Sequence, residues 1–252
     1  MKVIDSKKTL DEKLIMEADR QINLAKEMMD KYNIMFDQAI SIIDKCSMIK
    51  EKCEKFDQVF GRIFYNSVIE YGIIKGNNQI LFIKPGQDGS LQGYKNKYYN
   101  LAKYVNEKYG FTVICSNNPY KKPYNPIDDA YEVIKEYIRK ENYDSFEIYY
   151  FGNSIGALLG ARHLYEYKEV KRALLINPPM NISYHKTKDG IVKFKGEKIA
   201  FVFGSLDPSS KYVELLDLIE DVNLKYHLIE GEDHNLSKNT VTLENLVDKY
   251  MM

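Results

Sequence analysis

The sequence predicts an α/β protein: a mostly parallel sheet of about six strands with helices on both faces, preceded by a long helical, coiled-coil-like segment. Three observations carry that reading. Residues 9–60 contain no glycine or proline and repeat apolar or small residues in steps of three and four. After Gly61, short apolar runs alternate with stretches of helical period. One of those runs ends in Gly152-Asn153-Ser154-Ile155-Gly156 and passes at once into a segment rich in small residues.

In the first region the apolar seam runs Ile15, Ala18, Ile22, Ala25, Met29, Tyr32, Phe36, Ala39, Ile43 and Cys46, with Lys, Glu and Asp on its flanks. That is heptad-like spacing over about four heptads. The register then slips by one to Ile49, Cys53, Phe56 and Phe60, which predicts a bend or break near residues 47–50, and Gly61 is the expected stop. Residues 1–61 therefore read as an N-terminal helical extension and 62–252 as a separate domain. A seam of this length serves a homodimer or a partner protein, or folds back over a sheet.

In the second region, residues 62–70 and 79–84 read as strands, 91–109 as a helix and 111–115 as a strand. Residues 127–142 are the next helix and 146–151 the strand before the pentapeptide. The small residues Gly156, Ala157, Gly160 and Ala161 start a helix where a sheet presses closely. Further strands follow at 170–176, 199–204 and 224–229, with a helix at about 209–219. Residues 180–197 are charged, carry a small hairpin at Asp189-Gly190, and are too short for a large lid. The turn-rich stretches Asn117-Asn118-Pro119-Tyr120 and Tyr124-Asn125-Pro126, with Met180, are the expected rim of a pocket at the carboxyl ends of the strands.

Composition excludes some classes. Of 252 residues 44% are hydrophobic and the formal net charge is +0, so nothing in the overall charge calls for nucleic acid or an anionic membrane. Residues 1–8 carry no apolar stretch of signal-peptide length, and charges interrupt every candidate membrane span. Three cysteines are an odd number for a disulfide framework; Cys46 and Cys53, seven apart on a helix, would stand roughly 10 Å apart. A reducing cytoplasm is the expected location, with no metal and no cofactor.

The pentapeptide has partners. An apolar strand ends in Ser205-Leu206-Asp207-Pro208, and another ends in Gly231-Glu232-Asp233-His234, so serine, acid and histidine follow in order, each past a strand. Each has a plainer reading: Ser154 as a helix N-cap, Asp207 as the cap of the helix after Pro208. Glu232 and Asp233 are rival acids beside His234, while His163, His185 and His227 lack motif context.

On the elbow and this order of residues, 62–252 resembles the α/β-hydrolase superfamily, as a small, lidless, serine esterase- or thioesterase-like member. The resemblance implies Ser154 as nucleophile, His234 as general base and acid, and Asp207 as the group that orients the imidazole. It also implies an oxyanion hole from the backbone N–H of Ile155 and that of Gln87. Family members commonly show His-Gly at the start of the second of these loops, where this chain has Pro85-Gly86. The types are chemically required: a serine hydroxyl needs a base that titrates near neutrality, and the oxyanion needs donors already in place. The implied activity is hydrolysis of an ester or thioester of a small acyl substrate through an acyl-enzyme. The alternative is a non-catalytic interaction protein that works through its N-terminal helices.

Overall fold

The computed structural model describes residues 8–32, 36–64, 67–119, 126–220, 223–238 and 240–252, with side chains of residues 14–27 and 44–55 in its first two helices. It consists of two compact units, Met1–Phe60 and Gly61–Met252.

In the first unit, α1 (Lys8–Tyr32) and α2 (Phe36–Lys55) lie against each other. Lys50 Nζ meets Asp19 Oδ1 at 2.8 Å across the pair. Of the seam positions with described side chains, Ala18, Ala25 and Cys46 are buried and Ile15 and Ile22 half-buried; Met29 to Ile43 lie outside the described side chains. The expected break near residues 47–50 does not occur, because α2 runs through them. Two successive steps of three rotate the stripe by about 120° on a 3.6-residue helix, so the helix stays continuous while the stripe leaves its buried face. The consequence is that Ile49 is left exposed. The helices separate instead between Tyr32 and Phe36. Gly61 is not a helix stop either, since α2 ends at Lys55 and Gly61 lies inside a strand.

The strands are β1 (Gln58–Phe64), β2 (Ser67–Ile74), β3 (Asn77–Lys84), β4 (Phe111–Ser116), β5 (Glu147–Asn153), β6 (Val170–Ile176), β7 (Lys198–Gly204) and β8 (Leu224–Ile229). They form one sheet in the order β1-β2-β4-β3-β5-β6-β7-β8. The six from β4 to β8 in that order are parallel, and β2 joins β4 antiparallel. Residues 62–70, expected as one strand, belong to two. Ile63 and Val68 face solvent, whereas Ile69, Tyr71 and Ile73 are buried at period two, so β2 is the strand with a packed face. The central strands are apolar through their middles, as strands covered on both sides must be, with Leu81, Ile83, Phe151, Leu174 and Phe201 fully buried.

Helices cover both faces. On one face α3 (Lys97–Tyr109) packs with α7 (Leu243–Tyr250), fastened by Asp248, which accepts from Tyr104 and Tyr109 at 2.7 and 2.8 Å. On the other lie α4 (Pro126–Lys140), α5 (Ile155–His163) and α6 (Tyr184–Lys193). The hairpin expected at Asp189-Gly190 is therefore helix. Gly190 serves a close helix crossing: a Cβ there would stand 2.2 Å from the Ala161 carbonyl oxygen.

Candidate functional site

The carboxyl end of β5 turns into α5 at Ser154, whose φ of 52° is left-handed and costly for a residue with a side chain. Sterics on both sides hold it there. A Cβ on Gly152 would meet the Ala157 backbone at 2.8 Å, and one on Gly156 would meet the Lys84 carbonyl oxygen at 2.2 Å. Helix and neighbouring strand can approach this closely only over glycine. The Ser154 amide is fixed to the Ile176 carbonyl at 2.7 Å, while its side chain makes no capping bond to α5. The N-cap reading of Ser154 is thereby removed: the hydroxyl is not committed to the helix.

Asp207 follows β7 and is buried. One carboxylate oxygen accepts from the Ser209 amide at 2.6 Å, and the other meets His234 Nδ1 in a short contact. Asp207 thus both caps the 3₁₀ segment Pro208–Leu215 and meets the imidazole of His234. Contact through Nδ1 leaves Nε2 for another partner.

Ser154 and His234 line the same cleft, of about 460 Å³, with Asn153, Gln87, Gly86 and Lys97 among its walls. A Cβ on Gly86 would come within 3.1 Å of Ser154 Cβ, so the loop after β3 passes close beside the serine. Ile155 is the first residue of α5, and Gln87 stands exposed in the loop.

The expected rim is partly wrong. Met180 is fully buried, residues 120–125 lie outside the described residues, and Asn118 lies beneath the cleft. Asn118 donates its side-chain amide to the Pro85 carbonyl at 3.1 Å, its backbone N–H to Gly89 at 3.0 Å, and accepts from Asp88 at 2.8 Å. It pins the loop that carries Gln87. The wall is formed instead by residues 86–90 with Gly93, Tyr94, Lys97 and Tyr98.

Three further residues hold positions that the sequence did not disclose. Asn177, fully buried at the end of β6, donates to the His234 carbonyl at 2.9 Å and the Asp233 carbonyl at 3.3 Å, and accepts from the Gly204 amide at 2.9 Å. It ties the loop after β8 to the end of β7. Glu232, read as a rival acid, turns away from the imidazole and accepts from the amides of Lys238 at 3.0 Å and Thr240 at 2.8 Å and from the Thr240 hydroxyl at 2.7 Å. Burial pushes its carboxyl up, but these hydrogen bonds outweigh it and hold the group below the usual carboxylate range. Asp233, the other rival, is bonded to Ser237. Lys84, the last residue of β3, is fully buried and donates to Ser116 Oγ at 3.1 Å and the Asn117 carbonyl at 2.9 Å. Burial brings its ammonium down to about 7, with Asp129 pulling the other way.

The remaining histidines lie elsewhere: His163 pairs with Glu166 at the end of α5, His185 is on α6 and His227 on β8. Among the described residues no three His, Cys, Asp or Glu side chains gather as a metal site, no helix is long and apolar enough to cross a membrane, and no disulfide joins Cys46, Cys53 and Cys115.

No family model and no curated protein matches the sequence. Solved structures do. Est1E from Butyrivibrio proteoclasticus is similar with a TM-score of 0.55 at 13% identity, over 76% of this chain and 94% of that one. A dienelactone hydrolase from Anabaena variabilis gives 0.56 at 12%, over 77% and 97%. A 2,6-dihydroxy-pseudo-oxynicotine hydrolase gives 0.54 at 11%, over 90% and 81%. At such identities the likeness is one of architecture. With its mixed, mostly parallel sheet, helices on both faces and a serine at the turn after β5, this chain has the α/β-hydrolase fold.

Proposed function

We propose that this protein is a serine hydrolase that cleaves an ester or thioester of a small acyl substrate. The observation that carries the reading is one cleft lined by a serine hydroxyl uncommitted to its helix and by an imidazole whose Nδ1 is held by a buried carboxylate. In this reading Nε2 of His234 takes the proton as Ser154 Oγ attacks the carbonyl carbon, and Asp207 stabilises the imidazolium. The backbone N–H groups of Ile155 and Gln87 hold the oxyanion, a contribution of about 3–4 kcal/mol per donor. His234 then gives the proton to the departing alcohol or thiol, leaving an acyl-serine that water hydrolyses by the same route.

The fold does not itself supply the activity, which rests on the site. The reading treats residues 62–252 as the hydrolase domain, lidless and open to small acyl groups. Residues 1–61 become an N-terminal helical extension through which a second copy or a partner protein would dock. Cysteines that form no disulfide among the described residues suit a reducing compartment such as the cytoplasm.

Labelling with a fluorophosphonate tests the reaction directly. The native chain is expected to label, and Ser154→Ala and His234→Ala to lose labelling while keeping the native melting profile. A folded native chain that does not label overturns the reading and moves the function to α1 and α2.

A further inference from the structure

The cleft holds a cation that the proposed reaction does not use. Lys97 opens α3 and is the one Lys or Arg among the described residues of the cleft wall. Its ammonium has no carboxylate within ion-pair distance among the described residues, and reaches Asn235 Oδ1, also in the wall, at 3.5 Å. Asp233 is the nearby acid, and its carboxylate is engaged by Ser237 and the Asn235 amide. The Lys97 ammonium also lies over the Tyr98 ring, 5.1 Å from the centroid, and burial lowers it against the pull of Asp233, as expected for a charge partly stripped of water with no carboxylate to neutralise it.

The position is also electrostatically unfavourable for a lysine. The first turn of α3 has no acidic residue, and a helix N-terminus already carries partial positive charge. Packing keeps the side chain there: a Cβ on Gly93 would stand 3.0 Å from Lys97 Cγ, so the stem lies against a residue that leaves it room. A partly desolvated ammonium beside the positive end of a helix stabilises a bound anion.

We propose that Lys97 binds a carboxylate on the substrate, so that the site prefers a half-ester of a short dicarboxylic acid over the corresponding neutral diester. This rests on the reading of Ser154 as the nucleophile. A carboxylate fits better than a phosphate, because a dianion would call for more than one cation. The acidic residue of the wall, Asp88, is exposed, where water screens it against a monoanion.

The test compares kcat/KM for mono-p-nitrophenyl glutarate with that for its methyl ester, both read by p-nitrophenol release. The native protein is expected to favour the acid by tenfold or more. Lys97→Met and Lys97→Gln should bring the ratio close to one, and Lys97→Arg should keep most of it. Using a ratio cancels general losses of activity, and the two neutral variants guard against one folding poorly. A native ratio near one, or a ratio unchanged by both neutral variants, overturns the proposal.

Calorimetric titration of the same half-ester into Ser154→Ala, with and without Lys97→Met, needs no turnover. The expected result is at least a tenfold loss of affinity, and equal affinity overturns the proposal. Failure of the native chain to hydrolyse either ester, with the calorimetric difference intact, would sink the hydrolase reading and leave the anion site standing.

Discussion

The two loops that bring Ser154 and His234 into one cleft are built in opposite ways. The elbow at Ser154 is held by backbone approach, with Gly152 against α5 and Gly156 against the end of β3, and the serine side chain takes no part in holding it. The loop after β8 is held by side chains: Asn177 reaches into it from β6, and Glu232 folds it around its own carboxylate. One loop fails by gaining atoms and the other by losing them. Steric repulsion between backbones has no remedy short of moving a strand, whereas a lost hydrogen bond leaves a polar group that water can sometimes reach.

Adding a methyl group at the elbow should therefore have the largest effect. Gly156→Ala sets a Cβ against the carbonyl oxygens of both Lys84 and Pro85, at 2.2 and 2.6 Å. We expect a loss of about 3 kcal/mol, seen as a fall in Tm of roughly 6–12 °C by calorimetry. An unchanged Tm would mean that strand and helix are not held as close as they stand.

On the other loop, Asn177→Ala removes three hydrogen bonds and leaves two carbonyls and an amide short of a partner in a fully buried place. A loss of about 2–3 kcal/mol in urea unfolding is expected, with at least a tenfold fall in esterase rate as His234 loosens. Asn177→Asp should do worse, because a carboxylate would face the two carbonyls that the amide now serves.

The smallest effect, and the one that sharpens the contrast, is in acid. Glu232 titrates below its ordinary value when folded, so the unfolded chain binds more protons between the two values and stability rises with pH across that window. Its contribution is complete above the ordinary glutamate value of about 4.3 and is lost as pH falls through the depressed one. Glu232→Gln should cost about 1 kcal/mol at pH 7 and flatten Tm against pH below about 5, while the elbow contributes no such slope. A variant with the native acid slope would remove Glu232 as its source.

The same contrast explains what the sequence disclosed. Close backbone approach leaves a mark in the chain itself, because only glycine fits, and the elbow could be read from five residues. The parallel strands were legible for a similar reason: burial on both faces demands unbroken apolar runs such as residues 173–176 and 199–203. Asn177 gave no signal, since its partners Gly204 and His234 are far away in the chain and a lone asparagine after a strand looks like any turn. Gly190 misled because a glycine that admits a neighbouring helix and one that turns the chain are spelled alike. The seam before Gly61 showed the correct helical period, but a period does not say where one helix stops and the next begins.

Lys84 has a chemical consequence of its own. An amine brought to about 7 by burial is largely unprotonated at mildly alkaline pH, and thus a far stronger nucleophile than surface lysines, yet it is sealed under the loop that passes Ser154. Acylating reagents meet that nitrogen only when the end of β3 has opened. Acylated Lys84 would thus be a molecular scar, recording how often this end of the sheet has come apart during the protein's working life.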